Sequence, residues 1–199
     1  MKKTSLAYLL CALPFVSYAQ CGLDCDPSSS ASVIGGGEKA RECFVNARTV
    51  SANPELANSR MLEPCTYFIT YIDSAEKNIR AATYTNRGVI RVALNNYAAA
   101  FSDFNIAMNL LPDTPQIYVN RGNAFYQSGN YPMALEDYSR ALELGIAEAH
   151  VVHLNLGKTY ERLGNRNLAE QSYRQAVDLM PTNVEAQLLL SGLLSQPDS

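Results

Sequence analysis

A chain of 199 residues with 18% charged side chains, a mean hydropathy of -0.12 and a formal net charge of -3 has the composition of an ordinary water-exposed protein. Its 16 basic residues form no cluster, which argues against nucleic acid or an anionic membrane surface as the main ligand, because both are gripped by concentrated Lys and Arg. No apolar run near twenty residues follows the N-terminus, so the mature chain is expected to have no transmembrane anchor.

Residues 1–19 read as a secretory signal peptide. Lys2 and Lys3 precede an apolar stretch from Leu6 to Val16, and the small residues Ser17 and Ala19 suit a cleavage site. Removing that segment takes both lysines, leaving 14 basic against 19 acidic residues, or -5. The expected location is therefore periplasmic or secreted. Lipidation of Cys21 is the weaker reading, since Gln20 stands where a lipoprotein signal has a small residue. Cys11 leaves with the signal, and Cys21, Cys25, Cys43 and Cys65 remain as an even set, the usage of an oxidising compartment. Of the three possible pairings the expected one joins Cys43 to Cys65, on neighbouring predicted helices, and Cys21 to Cys25, close together on a loop. Three residues separate Cys21 from Cys25 where a thioredoxin-like motif has two, and the four thiols are too dispersed for a zinc site.

Residues 20–37, rich in Ser and ending in Gly35-Gly36-Gly37, read as a flexible linker. A phosphate-binding loop is disfavoured because no Gly-Lys-Ser/Thr ending and no preceding strand are present. Residues 38–80 read as an irregular helical hairpin. Ala40, Cys43, Phe44 and Ala47 recur at helical spacing until Asn53-Pro54, and a second helix over 55–72 carries Leu62, Cys65, Phe68, Ile69 and Ile72 on one side. Asp73 to Asn78 reads as a connector.

Regularity begins at residue 81. Gly88, Gly122 and Gly157 lie 34 and 35 residues apart, and in the same register come Asn86, Asn120 and Asn155, then Ala100, Ala134 and Ala169, then Phe104, Tyr138 and Tyr173. Gly followed by an aromatic in a first helix, and Ala-x-x-x-aromatic in a second, at this period resembles the tetratricopeptide (TPR) repeat. The resemblance implies an all-α, right-handed α-solenoid of stacked helical hairpins, with units at 81–114, 115–148 and 150–183, the disulfide-linked irregular hairpin before them and a capping helix over 184–195. Asn95-Asn96, Gly129-Asn130 and Gly164-Asn165 mark the turns, while Pro112 and Pro181 end second helices where the middle unit has Ile146. Glycine in mid-helix costs roughly 1 kcal/mol relative to Ala, so its recurrence predicts close helix contact, with Ala100, Ala134 and Ala169 as the expected partners. Aromatic residues including Tyr84, Tyr118, Phe125 and Tyr160 are expected as core filling. Leu188, Leu189, Leu190, Leu193 and Leu194 make the last helix leucine-rich, which suits a cap or a homodimer interface through Leu189 and Leu193.

The same resemblance implies a function. In TPR proteins that bind extended peptides, amides at the sixth position of each unit hold the ligand on the concave face, and here those positions are Asn86, Asn120 and Asn155. Asn123 and Lys158, with Tyr126, Gln127, Glu161 and Arg162, are expected to face the same way. A carboxylate clamp of paired Lys, Asn and Arg does not carry over, because its positions hold Thr85, Val151 and Asn155. Arg87 and Arg121 are expected to turn inward toward Asp103 or Asp137. His150 and His153 lack further ligands for a metal, and no catalytic constellation or cofactor motif is found. The expectation is a non-enzymatic exported scaffold that binds a peptide or protein partner. The alternative is a structural subunit of an envelope or secretion complex, assembling through its convex face or C-terminal helix.

Overall fold

The computed structural model describes residues 37–71 and 75–195, which are helical with no strand; the expected signal peptide, linker and Cys21–Cys25 pair lie outside them. The helices are α1 (Gly37–Ala52), α2 (Glu63–Tyr71), α3 (Lys77–Ala93), α4 (Tyr97–Leu110), α5 (Pro115–Gln127), α6 (Tyr131–Glu143), α7 (Ala149–Arg162), α8 (Arg166–Leu179) and α9 (Val184–Ser195). Helices α3 and α4, α5 and α6, and α7 and α8 pack as hairpins, each hairpin leans on the next, and the first helices α1, α3, α5 and α7 touch in succession. This is an α-solenoid. Lys77 and Asn78, expected in a connector, form the first turn of α3.

Each hairpin turns through a left-handed residue. Asn95, Gly129 and Gly164 have φ of 58°, 82° and 74°, and the next amide reaches back over the helix end: Asn96 to the Arg91 carbonyl at 2.8 Å, Asn130 to Phe125 at 2.8 Å, Asn165 to Tyr160 at 2.9 Å. These bonds satisfy carbonyls that the ending helix would leave orphaned. The middle unit uses the same device a second time. Where α4 and α8 stop before Pro112 and Pro181, α6 ends at Glu143 and the chain turns at Gly145, φ 75°, with the Ile146 amide donating to the Ala141 carbonyl at 3.2 Å.

The mid-helix glycines do mark close approach, but to a different partner from the one expected. A Cβ on Gly88 would lie 2.8 Å from Phe104 Cε1, one on Gly122 would lie 2.8 Å from Tyr138 Cε1, and one on Gly157 would collide with the Tyr173 ring. The ring one turn beyond each alanine lies on the glycine, because a methyl is too short to fill the gap between two helices and a ring is not. Ala100, Ala134 and Ala169 are fully buried beside these contacts. Tyr138, Tyr173 and Phe104 are, with Phe68 of α2, the largest fully buried side chains, whereas Tyr84, Tyr118, Phe125 and Tyr160 are only partly buried against the core.

The N-terminal hairpin departs from the expected single helix over 55–72. Two 3-10 turns, Pro54–Leu56 and Ser59–Leu62, come first, and α2 begins only at Glu63. Pro64 explains the late start: within a continuous helix its ring would strike the carbonyl of Arg60, but in a first turn it is tolerated. The Cys43–Cys65 disulfide joins α1 to α2. Both cysteines are fully buried, in one cluster with Ala47, Val50, Val89, Ile90 and Phe104, so α1 is fastened to the face of α3. At the other end α9 packs Ala186 and Leu193 against Tyr173 and Ala176. Leu193 is only 6% exposed and Leu189 is partly buried. A second chain meeting α9 would find Val184 and Leu188, 63% and 65% exposed, rather than the expected Leu189 and Leu193.

Candidate functional site

Helical spacing puts the ninth and twelfth residues of each unit one turn apart on the first helix, beside the aromatic of the second. In the first unit these three are Val89, Val92 and Phe104; in the second, Asn123, Tyr126 and Tyr138; in the third, Lys158, Glu161 and Tyr173. The face of the first helices thus passes from aliphatic, through neutral polar, to charged along the array. A groove of about 550 Å³ opens over its first half, within the usual range of about 300–1,000 Å³ for ligand sites. Its lining comes from the end of α1 (Val50, Ser51, Ala52) with Pro54, from α3 (Val89, Val92, Ala93) with Phe104, and from α5 (Asn120, Asn123, Ala124, Tyr126, Gln127). Among the described residues no charged side chain lines it. The apolar wall, Val50 above all, was not foreseen: position 50 lies in the irregular hairpin, where no repeat register assigns it a face.

Beyond Asn123 the groove meets a small notch lined by Asn123, Tyr126, Tyr138, Asn155 and Lys158. Here Asn155, one of the ladder of sixth-position amides expected at 86, 120 and 155, is bonded to the neighbouring Asn123. The Tyr138 hydroxyl donates to Asn123 Oδ1 at 2.7 Å and Asn155 Nδ2 donates to the same oxygen at 3.1 Å. That leaves the Asn123 Nδ2 donor and the Asn155 Oδ1 acceptor without a partner among the described residues. One donor beside one acceptor is the complement of a peptide group. Lys158 is held by Glu185 of α9 at 2.6 Å, so the cap fixes a side chain of the notch. The Tyr173 hydroxyl donates to Glu161, at the twelfth position of its unit, whereas Tyr138 donates to Asn123 at the ninth. Burial raises the pKa of both phenols, keeping each a donor.

The ladder positions are not equivalent. Asn120 lines the groove although it is only 2% exposed, and Asn86 is 5% exposed and lines neither concavity. Asn155 is half-buried and lines the notch. Asn123, Asn155 and Lys158 are thus brought together, Asn120 joins Asn123 in the groove, and Asn86 is set apart.

Beneath this face lie the ion pairs expected of the arginines. Arg87 donates from Nε and Nη2 to the two oxygens of Asp103 at 3.0 and 2.8 Å, and Arg91 adds a third bond at 2.7 Å. Arg121 repeats the two-pronged contact with Asp137 at 2.8 and 2.7 Å. Burial pushes the Asp137 carboxyl up, and the bonds from Arg121 oppose it; the Asp137 bonds in turn raise Arg121. These pairs join first to second helix, leaving the groove to the neutral side chains.

His150 and His153 are each half-buried, and burial lowers both pKa values. Among the described residues no three His, Cys, Asp or Glu side chains converge as a metal site, and no helix is long and apolar enough to cross a membrane.

Residues 113–182 match the tetratricopeptide repeat family. Among solved structures, a thermophilic TPR protein of Thermus thermophilus is similar in fold, with a TM-score of 0.65 over 78% of this chain and 80% of that one, at 16% sequence identity.

Proposed function

We propose that this chain, whose residues 113–182 match the tetratricopeptide repeat family and whose fold resembles a TPR protein, is a non-enzymatic exported adaptor binding an extended peptide segment along the face of its first helices. The observation that carries the reading is the groove bounded by α1, α3 and α5 and continued by the Asn123–Asn155 pair. Its neutral lining and its donor–acceptor pair suit a strand whose backbone is hydrogen-bonded and whose side chains are covered. Export is supported by the signal-like residues 1–19 and by the buried Cys43–Cys65 disulfide, a bond that persists in oxidising compartments.

The test uses the partner recovered by cross-linking in cells. Replacing Asn123 and Asn155 together by Ala should weaken its binding at least tenfold while the helical circular dichroism and melting temperature hold. Unchanged affinity in that folded variant would contradict the reading. A second reading, a structural subunit assembling through its C-terminal helix, is favoured by the exposure of Val184 and Leu188 on α9. It expects Leu188→Asp, and not the asparagine variant, to abolish complex formation.

A further inference from the structure

The groove differs along its length in a way that specifies what it takes. Toward α1 and α3 the lining is Val50, Val89, Val92 and Ala93, and none of the described charged side chains lines it. A charge buried there would lack a counter-ion, which is strongly unfavourable; an aliphatic side chain would gain by leaving water. Tyr126 closes the far end of this stretch, and over its ring, 5.9 Å from the centroid, stands the guanidinium of Arg162. Arg162 is exposed and makes no ion pair among the described residues. The neighbouring charges differ: Lys158 is held by Glu185, and Glu161 accepts the Tyr173 hydroxyl. Charge complementarity therefore calls for an aliphatic segment at the α3 end and a carboxylate at the Arg162 end.

Resting on the peptide-groove reading, we infer that the partner is an extended segment with two aliphatic side chains at alternate positions and an acidic one about five to six residues from the midpoint of that pair. Alternate positions are required because an extended chain turns every second side chain to the same face. The separation follows from two helix spacings, α3 to α5 to α7, of about 8–10 Å each, spanned at about 3.3 Å per residue. The aliphatic pair seats between Val50 and Val92, the backbone meets Asn123 and Asn155, and the carboxylate meets Arg162.

The probe is the fluorescein-labelled peptide acetyl-Leu-Ser-Leu-Asn-Gly-Ser-Glu-amide and its sequence reversal, each also made with Lys for Glu and with Asp for both Leu. Fluorescence polarisation with the mature protein should show one direction of the Glu peptide binding at least tenfold more tightly than its Lys and Asp counterparts. Arg162→Glu should reverse the choice, so that the Lys peptide becomes the tighter ligand. Ala93→Glu, at a half-buried position in the uncharged stretch, should abolish the advantage of the two leucines in a protein that still melts cooperatively. If the peptides bind but the Glu and Lys forms are equal and Arg162→Glu changes nothing, the inference is overturned while the groove reading stands. If no peptide in the set binds at millimolar concentration, both fall.

Discussion

The first two repeat units and the third solve one packing problem differently. In the first two, Arg87 and Arg121 reach from the first helix to Asp103 and Asp137 on the second; in the third the equivalent positions are Leu156 and Ser172, both buried, and the serine hydroxyl turns to the Leu168 carbonyl of its own helix at 2.8 Å. Both members of the pair have changed together. The physical reason is that a buried ion pair and an apolar replacement can have similar stability, whereas half of a pair leaves an uncompensated charge. The hairpin needs a matched contact here, and it does not need that contact to be ionic.

Breaking one half of the pair is the severest way to test this comparison. Asp137→Ala should destabilise the protein by about 3–5 kcal/mol by stranding Arg121, seen as an earlier urea midpoint. Copying the third unit, with Arg121→Leu and Asp137→Ser in one chain, should recover most of that loss. Next in size is the staple at the N-terminal end, where the 34-residue register does not operate. Replacing Cys43 and Cys65 by Ala should cost about 3 kcal/mol by the loop-closure argument, and because α1 carries Val50 the groove should lose its apolar wall along with the stability. Gly122→Ala comes third. Its methyl meets the Tyr138 ring at 2.8 Å, so despite the better helix propensity of Ala a net cost of about 1–3 kcal/mol is expected from overpacking, and Tyr138→Leu in the same chain should relieve it.

The smallest effect is a pH dependence confined to the third unit. Burial holds His150 and His153 below the ordinary 6.5, so the unfolded chain binds protons there more readily than the folded one. Stability is therefore complete at neutral pH and is lost as pH falls beneath about 6.5 toward the folded values. Melting curves at pH 7.5 and pH 5.5 should show a lower midpoint at the acidic value, a difference that shrinks when both histidines are replaced by Gln.

What could be read from the sequence follows the same division. Where the 34-residue register holds, residue type was enough: the turns at Asn95, Gly129 and Gly164, the inward turn of Arg87 and Arg121, and the buried rings at 104, 138 and 173 all recur in equivalent places. The register says that Gly88 needs a close neighbour, but whether the neighbour is Ala100 or Phe104 depends on how far the second helix reaches across, which spacing does not encode. Outside the register the reading weakened. The helix expected from 55 begins at 63 because of Pro64, the leucines of α9 divide between the core and the surface according to where α8 ends, and Asn86 is set apart from the other ladder asparagines in a unit whose first helix is packed against α1. The candidate groove was half legible for the same reason: its amides sit at repeat positions, while part of its apolar wall comes from the irregular hairpin.

The central claim, that the face of the first helices is the binding surface, is tested most directly by photo-cross-linking in cells from two single positions. A photoreactive residue at Gln127, exposed on the groove wall, is compared with one at Leu188, exposed on α9. The account predicts a discrete adduct from Gln127 that disappears when Asn123 and Asn155 are replaced by Ala. An adduct formed from Leu188 alone, with position 127 silent, would contradict it.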